Sequence, residues 1–541
     1  MIPDPIRAGL ASGWKTIDAA ALTRDMELEA DVVVVGSGAG GGVTAEILAQ
    51  AGLKVAIVEE GPLASSTDFR MREREAYEGL YQDNAGRQTS DHAITILQGR
   101  CVGGSTTVNW TASFRTPRRT LAYWKDALGL ATMDEASLAP WFARMEERLS
   151  IAPWSTAPNR NNDALRAGCE KLGYSSGIMR RNVKGCLNLG YCGMGCPANA
   201  KQSMLVTTIP SALDRGAILV HRARVTELVF EGDRVASCDA HGIARNGATP
   251  SIYRVRIRAR HFVLAAGGIG SPGILLRSNA PDPHDQLGRR TFLHPTVISG
   301  ALMREPVQAF YGAPQSAYSD HFLEVPLDGP AGFKLEVAPA HPVLVAGVLP
   351  GFGEEHAHWM SRFDRLQVTI ALLRDGFHPE SPGGRVVLRS DSSPVLDYPM
   401  SRYLWEGARR AFLTMAQVQF AAGAQTVMPV HEQARGCDSW EASRKEIESL
   451  AMQPRNARVV SAHVMGGCAM GTDPRSSVVG ESGQHHQVGN LSVHDASLFP
   501  TSVGANPQLS IFAIAARLAS GLAAGLRNSR TAGTKGPSLP V

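Results

Sequence analysis

The sequence predicts an α/β fold that carries a second, α+β unit, and three observations lead there. The run DVVVV at 31–35 is followed by the glycine cluster GSGAGGG at 36–42, an amphipathic stretch VTAEILAQAG, and a second apolar run, KVAIVE, that ends at Glu59. Further strand patterns (KLEVA, LQVTIALL and GRVVLR) and helical segments around 405–420 and 440–450 occupy residues 300–445. The chain has 541 residues, well beyond the roughly 250–300 at which a single hydrophobic core stops growing.

The first block has β-branched side chains that suit a strand buried on both faces. Strand, glycine turn, helix, strand and acid in that order make a Rossmann-like βαβ unit. Gly36, Gly38 and Gly41 fit G-x-G-x-x-G. The first permits the tight turn, the second lets backbone approach a pyrophosphate, and the third allows close packing of helix on strand. The helix amino end then offers free N–H groups to the phosphates. Glu59 falls where the second strand ends and is placed to accept from an adenosine ribose. These features alone do not separate FAD from NAD.

A second glycine-rich turn lies between apolar segments in ITILQGRCVGGSTTVNWTASFR at 94–115. Residues 118–200 are rich in polar turns and contain Cys186, Cys192 and Cys196 in CLNLGYCGMGC. Zinc would lack a fourth ligand there, which leaves packed thiols or one disulfide pinning the loop. Alternating strands follow in AILVHRARVTELVFEGDRVASCDA and SIYRVRIRARHFVLAAGG. The stretch LSIFAIAARLASGLAAGL at 509–526 is apolar on most faces and is expected to be a buried helix. The expected division is 31–117, 201–299 and 451–527 for the nucleotide unit, 118–200 and 300–450 for the second unit with its antiparallel sheet, and 528–541 as a flexible tail.

Hydrophobic residues at 44% and charged residues at 19% fit a soluble globular enzyme. A net charge of +4 without a Lys/Arg block argues against a nucleic-acid partner. The first 25 residues show no secretory pattern, and apolar runs such as FVLAAGGIG are too short to span a bilayer. A cytoplasmic location is expected, with peripheral contact to the inner membrane left open.

Four segments taken in order resemble the glucose–methanol–choline oxidoreductases, flavoproteins that oxidise alcohols. They are 31–61, GRCVGGSTTVN at 99–109, LAAGGIGSPGILLRS at 264–278, and the pair SAHVMGGCAMG and NLSVHDASLFPTSVGANPQLS at 461–471 and 490–510. The loop ending in CPANAKQS is similar to the branch containing long-chain fatty alcohol oxidases. The resemblance implies FAD, with Gly103, Gly104, Ser105 and Asn109 against the flavin and Val225 among its contacts. Some members attach the flavin through a histidine just before that asparagine. Val108 stands there, so a noncovalent flavin is expected.

The same resemblance marks His463 as the catalytic histidine. A neutral imidazole takes the alcohol proton as hydride moves to flavin N5. Asn506 would orient the alcohol, although Asn before Pro507 also reads as a helix cap. The helix that follows would aim its positive end at the flavin. Asp495 is expected to accept a ribityl hydroxyl, with Ser497 beside it. His294 and the His485–His486 pair are read as structural or surface residues. The implied partners are a small alcohol, lipophilic by the branch resemblance, and oxygen or a quinone or cytochrome as electron acceptor. A steroid or sugar alcohol oxidase of the same family, and an NAD-dependent alcohol dehydrogenase without flavin, are the competing readings.

Overall fold

The computed structural model describes residues 2–244, 247–323, 325–327 and 329–533. The expected βαβ unit forms from Met26–Val35, the helix Ala39–Gln50 and Val55–Val58. Gly36 turns the chain with φ +99°, and a Cβ there would lie 2.3 Å from the Ala265 carbonyl oxygen. A Cβ on Gly41 would lie 1.9 Å from the Gly36 oxygen, so no side chain fits where helix meets turn.

An eight-stranded sheet grows around this unit. Lys15–Asp18, Ile218–His221, Val55–Val58, Met26–Val35 and Pro250–Leu264 run parallel in that spatial order, and Leu491–Val493 adds in parallel to Pro250–Leu264. Arg234–Ile243 and Ala223–Glu231 complete the sheet as an antiparallel meander. The strand Lys15–Asp18 lies ahead of the expected start of this unit. On one side the helix Gln508–Gly533 packs against Ala39–Gln50 and Glu135–Arg148.

The second sheet is the expected antiparallel one. Phe333–Val337, Leu366–Leu373, Thr296–Met303 and Ala424–Pro429 pair antiparallel. Two short strands assigned from sequence to the nucleotide unit, Ile94–Ile96 and Val459–Ser461, join this sheet instead. Alternation sorts its faces: Leu335, Val337, Ala371 and Leu373 enter the core with Phe412 of the helix Arg402–Ala421. The opposite face carries Glu336, Ile370 and Ile298, which share one row across three strands.

Two expectations change here. The C-terminal helix extends to Gly533, so the proposed tail begins as helix; residues 534–541 lie outside the described residues. Its segment Gln508–Asn528, with mean hydropathy 1.7, is long and apolar enough to cross a membrane, contrary to the view that every apolar run is too short. It serves here as a core helix, with Phe512, Ala513 and Ala516 fully buried. Gly41→Val is expected to destabilise the fold by more than the roughly 1–3 kcal/mol of ordinary overpacking, read as a lower thermal unfolding midpoint, because the obstacle is backbone. Gly525→Val, at an open position, serves as the control.

Candidate active site

A cavity of about 1430 Å³ is lined by residues of both sheets and by the amino end of the C-terminal helix. Such a volume exceeds the roughly 300–1,000 Å³ of a pocket for one small ligand and leaves room for a dinucleotide plus a second molecule. At the nucleotide end its wall includes Gly38, Ala39 and Gly40, the start of the helix Ala39–Gln50. Gly38 caps that helix without any side-chain hydrogen bond, so the first-turn N–H groups are free for phosphate oxygens. The second glycine turn closes over the first. A Cβ on Gly104 would lie 2.7 Å from Gly38 Cα, and Gly103 N–H donates to Ser37 Oγ at 2.9 Å.

Glu59 lines the cavity, but most of its acceptor capacity is used by its own chain. Oε2 accepts from Ser37 N–H and Oγ–H at 3.0 and 2.6 Å, and Oε1 from Gly61 N–H at 2.8 Å. It braces the glycine turn and keeps one lone pair on Oε1 for a ribose. Burial pushes its carboxyl above the usual range. Gly104, Ser105, Asn109 and Val225 are in the cavity wall, whereas Gly103 and Ser497 are not.

Asp495 also departs from expectation. Oδ2 accepts from Gly267 N–H at 2.8 Å and Ser271 Oγ at 2.6 Å, while Oδ1 accepts from Ser497 N–H and Oγ. With its acceptor sites taken, it anchors the start of the helix Gly267–Arg277 instead of holding a ribityl hydroxyl, and Ser497 is part of that anchor. Asn109 Nδ2 donates to Gln508 Oε1 at 2.8 Å, which ties the segment expected over the flavin to the first turn of the C-terminal helix.

At the other end His463, Asn506 and Glu336 line the same cavity. The strand Thr291–Leu293 pairs antiparallel with Val464–Gly466, Leu293 opposite Val464, and the next step of that register sets His294 against His463. Their Nδ1 atoms are 3.0 Å apart. Gly504 N–H reaches His294 Nε2 at 3.0 Å. An amide N–H only donates, so His294 Nε2 accepts and its proton sits on Nδ1. That Nδ1–H donates to His463 Nδ1, which leaves the proton of a neutral His463 on Nε2. Burial lowers His463 to about 4, and burial with the neighbouring His463 holds His294 well below the usual range. Both rings are therefore neutral near pH 7. His463 is thus held at the cavity wall with its Nε2 free of protein partners named here, and His294 is its positioning partner.

Asn506 does not cap the helix, which begins at Gln508. Its Nδ2 donates to Glu336 Oε2 at 3.2 Å, and its Oδ1 is buried without a partner. Among residues that sequence reasoning missed, Glu336 stands in the ordinary strand pattern KLEVA, and no local signal marks it. Lys201 lies in CPANAKQS and is buried. Its Nζ donates to the carbonyls of Thr107, Asn109 and Cys192 at 2.9, 2.6 and 2.6 Å. It thereby clamps the cysteine loop to the flavin-side segment, and no disulfide is needed, since all eight cysteines are free. His485 is buried and His486 bonds to Ser477; neither reaches the cavity wall.

Family models for GMC oxidoreductases match residues 77–296 and 379–515, and one for an FAD binding domain matches 31–70. An uncharacterised GMC-type oxidoreductase of Mycobacterium tuberculosis is 31% identical over 498 residues, covering 91% of this chain and 75% of that protein. The chain belongs to the GMC oxidoreductase family. It is also 29% identical to long-chain-alcohol oxidase FAO4A of Arabidopsis thaliana, over 91% of this chain and 68% of that one. Among solved structures, pyridoxine 4-oxidase from Mesorbium loti shares the fold with TM-score 0.65 at 17% identity, covering 91% of this chain and 98% of that chain. A formate oxidase of Aspergillus oryzae does so with TM-score 0.68 at 14% identity, covering 93% and 99%. The GMC chain is thus an FAD-dependent alcohol oxidoreductase.

Lys201→Met would strand three carbonyls that now share one ammonium. Each buried unsatisfied group costs about 1–3 kcal/mol. The variant is expected to unfold at lower temperature and to purify with less than half the wild-type flavin content, read from absorbance.

Proposed function

We propose that this GMC oxidoreductase oxidises a lipophilic primary or secondary alcohol to the aldehyde or ketone, on a noncovalently held FAD. One observation carries the reading: His463 shares a single cavity with the glycine-built nucleotide wall and with an apolar sheet face. That face presents Ile298, Val368, Ile370 and Leu372, and the helix Pro342–Val348 and the residue after it add Val345 and Leu349. An aliphatic chain gains about 25 cal/mol per Å² of apolar surface removed from water there. The long-chain-alcohol oxidase relative supports the same substrate class.

Bound FAD supplies an acceptor for the hydride of the alcohol carbon. The chain's own residues do the rest. His463 Nε2 hydrogen-bonds the alcohol oxygen and orients the carbon, and the apolar walls exclude water, which strengthens that hydrogen bond. The C-terminal helix begins at the cavity, where Asn506, Pro507 and Gln508 line it, and its positive end favours the charge that accumulates on reduction. Val108 lies in the wall with a hydrocarbon side chain that forms no bond to a flavin.

An anaerobic panel of aliphatic, aromatic, steroid and sugar alcohols tests the reading through flavin bleaching. Long aliphatic alcohols are expected to bleach the flavin fastest; bleaching by steroids or sugars alone would overturn the lipophilic-chain assignment. His463→Ala is expected to keep its flavin while the bleaching rate falls by roughly 10²-fold or more. Acid precipitation is expected to release the yellow colour into the supernatant, and colour retained in the pellet would disprove noncovalent binding. Peroxide formed in air would identify oxygen as acceptor, and slow reoxidation would point to a quinone or cytochrome.

A further inference from the structure

The antiparallel sheet lays an apolar floor along the cavity, and its rows run away from the histidines. On the strand Thr296–Met303 the residues turned to the cavity are Thr296, Ile298 and Gly300, while Val297 and Ala301 enter the core on the other face. Their partners on Leu366–Leu373 are Leu372, Ile370 and Val368, and all three also line the cavity. Thr296 pairs antiparallel with Val460, three residues before His463. His463 therefore stands beyond the Thr296 end, and Gly300 is the far end of the floor. The distance from Thr296 to Gly300 along the strand is about 13 Å at roughly 3.3 Å per residue.

Gly300 is a glycine that the backbone does not require. Its φ lies outside the left-handed region. It sits inside a central strand, paired with Val368 on one side and Met428 on the other, where glycine weakens a strand and often marks a close approach by a ligand. A Cβ there would lie 3.5 Å from Leu366 Cδ1 and 4.0 Å from both the Met428 oxygen and Trp359 Cζ3. These are ordinary contacts, unlike the 1.9 Å collision at Gly41. A side chain would fit, and the space it would fill is left to the cavity.

We infer that Gly300 sets how long an aliphatic chain this site accepts, by keeping open the far end of the apolar arm. This rests on the alcohol-oxidising reading above. With the hydroxyl end beside His463, a linear tail runs over Thr296 and Ile298 to Gly300, a path for about ten carbons of extended chain. Hydrocarbon encloses its end. Val368 stands beside Gly300, and Leu366, Val345 and Leu349 complete the wall in one cluster with Trp359. Leu302, next on the same face of the strand, is buried but no longer in the cavity wall, so the arm stops there. The Glu336 carboxyl pairs with Ile370, one row nearer the histidines, and leaves the Gly300 row apolar.

Burial of each added methylene in such an arm raises affinity by about fourfold. Bleaching at low alcohol concentration is expected to quicken by up to that factor per carbon while the arm fills, and to level off near about ten carbons. In Gly300→Val two methyl groups occupy the last row. The plateau should then arrive roughly three carbons earlier.

The test follows anaerobic flavin bleaching by linear primary alcohols, from butanol to tetradecanol, in flavin-loaded wild type and Gly300→Val. The variant is expected to keep its flavin and to oxidise butanol within about threefold of wild type, while decanol slows by roughly 10–60-fold. That split by chain length is the signature of a shortened arm. An unchanged profile, or an equal loss at every length, overturns the assignment while leaving alcohol oxidation intact. If no linear alcohol bleaches wild type, the alcohol reading fails and the chain-length assignment falls with it. Gly300→Ala covers a valine variant that does not fold, because its one added carbon meets its neighbours at ordinary distances. Its decanol-to-butanol rate ratio is expected to fall by about fourfold, and a ratio equal to that of wild type overturns the assignment.

Discussion

The site depends on one backbone amide. Gly504 N–H has no choice but to donate, and it donates to His294 Nε2. From that single constraint the proton positions on two imidazoles follow, because the rings meet through their Nδ1 atoms. His463 is thereby held at the cavity wall. The pairing of Thr291–Leu293 with Val464–Gly466 fixes the meeting. A slip of one residue would turn one ring to the other face of its strand and break the chain.

Charge is managed by burial more than by pairing. Near the cavity, Glu59, Asp495 and Glu336 are all buried carboxyls whose pKa values are raised chiefly by loss of solvent. The first two are surrounded by donors from their own chain: Ser37 and Gly61 for Glu59, and Gly267, Ser271 and Ser497 for Asp495. They hold two turns rigid around the nucleotide region. Glu336 is different because one of its oxygens is left bare. The contrast separates two acids whose oxygens are taken up by their own turns from one with an oxygen left bare.

The two sheets divide the task physically. The parallel sheet places helix amino ends and glycine turns where phosphates are expected, as in other doubly wound folds. The antiparallel sheet gives one face to its own helix Arg402–Ala421 and the other to the cavity. Strands Val459–Ser461 and Ile94–Ile96 belong to the second sheet although their neighbours in sequence belong to the first. That interleaving brings His463 to the junction, since it follows Val459–Ser461 by two residues and precedes Val464–Gly466.

Much of this was legible in the order of residues. A β-branched run, three glycines at fixed spacing and an acid at the next strand end determine a βαβ unit, because only glycine fits where a Cβ would strike backbone at Gly36 and Gly41. The segments around His463 and Asn506 and the position of Val108 marked residues that line the cavity. What local sequence did not encode was which oxygen or nitrogen each of these side chains would spend on its neighbours. Asp495 and Ser497 are consumed by a helix start, Asn506 turns to Glu336 instead of capping, and His294 governs His463 from 169 residues away. Glu336 itself sits in a plain strand pattern, and only the tertiary pairing of Phe333–Val337 with Leu366–Leu373 turns it to the cavity. Hydrogen-bond saturation and proton position are properties of the folded neighbourhood, so tertiary structure alone decided them.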